Sequence, residues 1–113
     1  MDEETTLGLD ANIEGLLSYI LGWISGIIFL LLEKKNGFVR FHAMQSLITF
    51  LGLSVLGYLV RVIPLLGGVL SSVVWMVQLV LWIVLMVKAY QGERFKLPVV
   101  GKFAENQLRP GLP

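Results

Sequence analysis

EKKNGFVRFHAMQS, residues 33–46, is the polar stretch between two long apolar runs, and its reading decides the fold. It holds Lys34, Lys35 and Arg40, and its Asn36-Gly37 pair is a turn signal that stops a preceding helix. Phe38, Arg40 and Phe41 alternate rings with a cation, as a segment at lipid headgroup level does. On either side, no Asp, Glu, Lys, Arg or His interrupts residues 15–32 or 43–60, and none interrupts 62–87. Each of the first two runs would be about 27 Å long as a helix, against roughly 30 Å of bilayer hydrocarbon. Pro64 near the start of the third run leaves about 20 residues to span.

Composition agrees with that pattern. The 113 residues suit one domain, and 15% are charged against 56% hydrophobic, where a soluble domain carries about 25% charged. A soluble three-helix bundle needs a polar outer stripe on each helix, which these runs lack. The expectation is an all-α, polytopic integral membrane protein of the cell membrane. Its three transmembrane helices fall at about 11–33, 41–60 and 68–88, in a single membrane domain with a tail over 89–113. The acidic start, Asp2-Glu3-Glu4, is unlike a secretory signal, so the first run is kept as a span. There is no Cys, so disulfides and thiolate chemistry are excluded and the redox compartment is unreadable.

Lys and Arg set the expected orientation. Residues 1–14 hold none, the first hairpin holds three, and the second connection holds only Arg61. The tail adds Lys88, Arg94, Lys96, Lys102 and Arg109. With three spans, eight of the nine basic residues share a side, which the positive-inside rule makes cytoplasmic, giving N-out and C-in.

Several side chains stand out within this frame. Ala11, Gly15, Ser18, Gly22 and Ser25 recur at 4-3-4-3 spacing, and Gly22 with Gly26 makes a GxxxG pair, so the first span is expected to pack closely through this stripe. Asp10 is positioned to cap that helix. Arg40 is expected to reach lipid phosphate or to pair with Glu33. His42, Gln45, Ser46 and Thr49 form a polar flank running inward along the second span. Gln45 must find a partner, from a neighbouring helix or the backbone, because an unsatisfied amide is costly in lipid. Trp75, Gln78 and Trp82 share one stripe of the third span, where the indoles are expected to pack inside the bundle and Gln78 to act as interhelical glue or line a path. Gly92 reads as a C-cap, and Pro98 as the opening of a short surface helix reaching Leu108. Residues 1–9 are expected to be mobile and 109–113 irregular.

At FVRFHAMQS, residues 38–46, the chain resembles a family of small prokaryotic membrane proteins of unknown function. That family is distantly related to the twenty-kilodalton subunit of the chloroplast inner-envelope protein translocon. Leu17-Ser18-Tyr19, Leu21-Gly22-Trp23-Ile24, Glu33-Lys34 and the closing Gln91-Gly92-Glu93-Arg94-Phe95-Lys96-Leu97-Pro98 with Gly101 and Ala104-Glu105 carry the resemblance. Lys102 departs from it, standing where an acidic residue follows the glycine. The resemblance implies a helical membrane domain and a link to translocation or membrane-protein assembly, without a catalytic residue.

One His, no Cys and no carboxylate within the runs leave no nucleophile–base pair and no metal-ligand set. No enzyme activity, cofactor or metal is therefore expected. The expected role is a self-associating scaffold or assembly factor, and the alternative is an oligomeric channel or translocation component. Expected partners are the bilayer, anionic headgroups at the cytoplasmic face and further copies of the chain, with nothing pointing to nucleic acid.

Overall fold

A computed structural model describes residues 4–108, so the expectation of irregular structure over 109–113 lies outside the described residues. The chain forms α1 (Ala11–Ile20), α2 (Trp23–Leu32), α3 (Gly37–Leu59), a 3₁₀ turn (Val60–Val62), α4 (Gly67–Tyr90) and α5 (Val100–Gln107). No strand occurs among the described residues. Two helical stretches are long and apolar enough to cross a membrane, Gly37–Val62 and Gly67–Tyr90. They match the second and third runs.

The first run departs from expectation. It does not make one helix but two of ten residues, folded back on each other at Leu21-Gly22. Contacts along the run establish the reversal. Asn12 Nδ2 donates to Tyr90 O (3.0 Å), Tyr19 reaches His42, and Gly22 O accepts from Ser46 Oγ (2.8 Å). Beyond Gly22 the chain returns, with Gly26 against Ala43 and Leu47 and Arg40 bonded to the carbonyls of Leu30 and Glu33. Each arm is about 15 Å long, half a bilayer core.

The turn forms here because Gly22 takes φ +64°, a conformation that costs an L side chain but not glycine. Its loose polar groups are satisfied from within the fold, as buried backbone groups generally are. Ser25 Oγ accepts from Leu21 N–H (3.0 Å) and donates to Ser18 O (2.8 Å), while Trp82 Nε1 donates to Tyr19 O (2.8 Å). The small residues of the expected stripe are buried at Ala11, Gly15, Ser18 and Ser25, but Gly22 serves the turn.

The N-terminus is also corrected. Thr6 N–H donates to Glu33, and Lys34 N–H donates to Thr6 Oγ1 (2.9 Å). Residues 4–12 therefore lie at the same end as the 33–36 loop and the C-terminus of α4, not at the opposite end. Residues 4–9 form a strap rather than a mobile tail. Asp10 precedes α1 but makes no side-chain cap.

Asn36, read as the stop of the first helix, is the N-cap of α3, its Oδ1 accepting from Val39 N–H (3.0 Å). At the far end Ser71 Oγ donates to Gly57 O (3.0 Å) and the Trp75 indole lies over Gly57, holding α4 on α3. The core gathers Tyr19, Phe50, Leu85 and Ala89, flanked by Trp23 and Trp82, with Ala11, Phe38 and Val39 forming a second cluster. Gly92 takes φ +79°, as its reading as a cap requires.

Candidate functional site: a buried polar chain that holds the tail

His42 and Gln45 stand one turn apart on α3, both fully buried. His42 Nε2 meets Glu93 O at 2.8 Å, and a carbonyl only accepts, so Nε2 carries the proton. Nδ1 is then an acceptor and receives the hydrogen bond of the Tyr19 hydroxyl at 2.6 Å. Gln45 Nε2 donates to Tyr19 Oη (3.0 Å) and to Phe95 O (2.9 Å), while its Oε1 accepts from Leu97 N–H (2.9 Å). Donors and acceptors run one way, from Gln45 through Tyr19 and His42 to Glu93.

The geometry explains the tail's path. Residues 93, 95 and 97 alternate along an extended segment, so their backbone groups face one side. The two side chains on α3 fill the place that a partner strand would take. Gly101 and Ala104 of α5 then seat the tail against α3, with Gly101 so close to Lys96 and Gln45 that a Cβ would meet them at 2.6 and 2.8 Å. Helix α5 begins at Val100, two residues beyond Pro98.

The other singled-out residues fall into three groups. Arg40 Nη1 donates to Leu30 O (3.0 Å) and Glu33 O (2.7 Å), so it caps the carbonyl end of α2 through backbone rather than pairing with the Glu33 carboxylate. Ser46 secures the Gly22 turn, and Thr49 is buried with its hydroxyl unpartnered among the described residues. Gly15 passes Phe38 and Ala89 closely, and Gly26 passes the α3 backbone. Trp75 and Trp82 pack on different neighbours, Gly57 of α3 and Tyr19 of α1. Gln78 accepts from Ser54 Oγ (3.0 Å) at the middle of α4 and lines a groove of about 380 Å³ beneath the hairpin tip. Leu21, Trp23, Phe50, Trp75 and Trp82 also line it.

Sequence reasoning placed Gln45 on a flank and required a partner for it, but did not find Tyr19 or the tail. The available signal was a polar pair at i and i+3 together with a glycine turn preceding the basic-aromatic segment. Among the described residues no group of three or more His, Asp or Glu could hold a metal ion.

Residues 3–104 match the magnetosome magnetite crystal formation protein family. The chain belongs to that family. Its relatives include two UPF0132 membrane proteins of Methanocaldococcus jannaschii, each 55% identical. The first alignment spans 106 residues, 94% of this chain and 76% of the relative, and the second spans 102, 90% and 92%. A UPF0132 membrane protein of Archaeoglobus fulgidus is 53% identical over 97 residues, 86% of this chain and 94% of its own. No solved structure matches. With two candidate spans, the family's membership makes this a membrane protein; the relatives named here carry no link to the chloroplast translocon subunit.

Proposed function

We propose that the chain is a non-enzymatic, multi-pass scaffold or assembly factor of the cell membrane that associates with copies of itself. In this reading α3 and α4 cross the bilayer, and the α1–α2 hairpin enters from one side and turns back at mid-depth. The side holding the 33–36 loop, the strap and the tail carries every basic residue among the described ones except Arg61 and faces the cytoplasm, in contact with anionic headgroups.

The observation that carries self-association is Gln78. Its side chain is mostly buried and its Oε1 is taken by Ser54, but the carboxamide borders a lateral groove halfway along a helix whose exposed residues, such as Val73, Met76, Val77 and Val80, are apolar. Amides at such positions join helices. The channel alternative draws less support, because Gln45, which it would place on a path, is occupied by Tyr19 and the tail. The family's association with magnetite crystal formation is compatible with an organising role at a membrane and names no chemistry for this chain.

Mass measurement in mild detergent is expected to give a defined oligomer that Gln78→Leu shifts to smaller species. A strict monomer in the wild type would remove the reading. Topology is tested separately, since the chain has no Cys and single substitutions report cleanly. A membrane-impermeant thiol reagent applied to intact cells should label Leu65→Cys, at a fully exposed loop position, and spare Lys34→Cys and Leu9→Cys. Labelling of Leu9→Cys from outside would restore the three-span arrangement.

A further inference from the structure

The mouth of the hairpin holds a second buried polar arrangement, outside both spanning helices. Glu33 is fully buried, and its carboxylate accepts from Thr6 N–H at both oxygens (2.9 and 2.8 Å). It also accepts from the N–H groups of Lys35 (3.0 Å) and Asn36 (3.1 Å). A carboxylate seated in backbone donors thus closes the strap, residues 4–9, over the hairpin.

Glu14, in the first turn of α1, is fully buried as well. Neither of its oxygens receives a well-formed hydrogen bond from a donor among the described residues, and Glu33 is the acid that acts on it. Two ionised carboxylates side by side repel, whereas one proton between them makes a hydrogen bond. The surroundings decide which acid holds it. Glu33 has the well-formed backbone donors and keeps its charge; Glu14 has only the weak pull of Thr5 and the Leu9 backbone and takes the proton.

We propose that Glu14 and Glu33 form a proton-sharing clasp that keeps the strap closed over the hairpin in acid and loosens it as the pH rises. The tuning of the two acids follows their surroundings. Burial first, then the hydrogen bond to Glu33, raises Glu14 to about 7, with Thr5 and the Leu9 backbone pulling weakly the other way. Burial pushes Glu33 up too, but the bond from Glu14 and the donors of Thr6 and Asn36 outweigh it and hold that acid at about 2.

Other charges nearby have their own partners or sit apart. Lys34 and Lys35 flank Glu33 on its loop, with Lys35 Nζ 4.0 Å from Glu4 of the strap. On α3, Arg40 is bonded to carbonyls, and His42 lies beyond Gly15, bonded to Tyr19 and Glu93. Lys88 of α4 pairs with Glu93 (3.1 Å), and Asp10 precedes α1. The charge acting on Glu14 is that of Glu33.

The direction of the pH effect is fixed by proton counting. The closed strap keeps the Glu14 proton up to about pH 7, while a Glu14 opened to water releases it near its ordinary 4.5. Between those values the closed form binds more protons, so raising the pH disfavours closure, by at most about tenfold per pH unit, and the effect levels off above the window. The contribution of Glu33 runs oppositely, and is lost only as the pH falls from 4.5 towards about 2.

Hydrogen exchange at the Thr6 amide of the full chain in detergent, followed from pH 5 to 8 as a protection factor, tests the clasp. Protection in the wild type should fall between pH 5 and 7 by up to tenfold per unit. Glu14→Gln, whose amide donates to Glu33 at every pH, should stay protected throughout, and Glu33→Gln should be unprotected throughout. Should Glu33→Gln not fold, Glu14→Gln alone decides. A flat wild-type profile, or an unchanged slope in Glu14→Gln, overturns the proposal. So does recovery of wild-type protection at pH 8 on adding calcium chloride, which would put a shared cation in place of the proton.

Discussion

Gly26→Val is expected to destabilise the protein by about 3 kcal/mol or more, the upper range for overpacking a tight contact. A Cβ on Gly26 would stand 2.7 Å from Ala43 O and 2.9 Å from Leu47 N. Both are backbone atoms of α3, so no side chain can swing aside, and the second arm of the hairpin must move away as a unit. Ser46 would then lose Gly22 O, and Arg40 would lose the carbonyls at the end of α2. Thermal unfolding in detergent measures the effect. Gly52→Val is the control, because nothing lies within 4 Å of a Cβ there. Equal melting temperatures for the two variants would mean that the hairpin does not press against α3.

Gln45→Leu is expected to cost about 3 kcal/mol, at about 1 kcal/mol for each of three hydrogen bonds, with more from buried groups left unpaired. Leucine fills much of the same space but offers neither the donors used by Tyr19 and Phe95 nor the acceptor used by Leu97. The helices should persist while the segment after Gly92 comes free. Trypsin should then cut at Arg94 and Lys96 at least tenfold faster than in the wild type, with the spanning helices still protected. An unchanged cleavage rate would show that the tail is held by α5 rather than by the polar chain.

How much of this was legible beforehand depended on whether the governing signal was local. The apolar character of α3 and α4, a break between helices near Asn36 and the turn at Gly92 follow from apolar runs, a capping asparagine and a glycine at positive φ. Yet Asn36 opens α3 instead of ending the first helix, and α3 begins at Gly37, four residues before the expected 41. The reversal at Gly22 was not legible. A glycine within an unbroken apolar run reads equally as a packing residue or as a turn, and two ten-residue arms with a short turn fill the same stretch as one span. What distinguishes them is whether distant groups, here Ser46 and Trp82, can satisfy the opened backbone. The same limit hid the partners of Gln45, which lie 26 and 50 positions away in the chain. Positive charge gathers at one end of the described molecule, yet the strap carries no Lys or Arg to report that it lies there too.

In the proposed seating, a hairpin that stops at mid-depth would give the molecule a tapered outline. Seated as proposed, it would displace four helical cross-sections of lipid from one leaflet and two from the other, with each helix about 10 Å across. Lipids relieve that imbalance by bending, so many copies gathered together would favour a sheet that bows away from the narrow side.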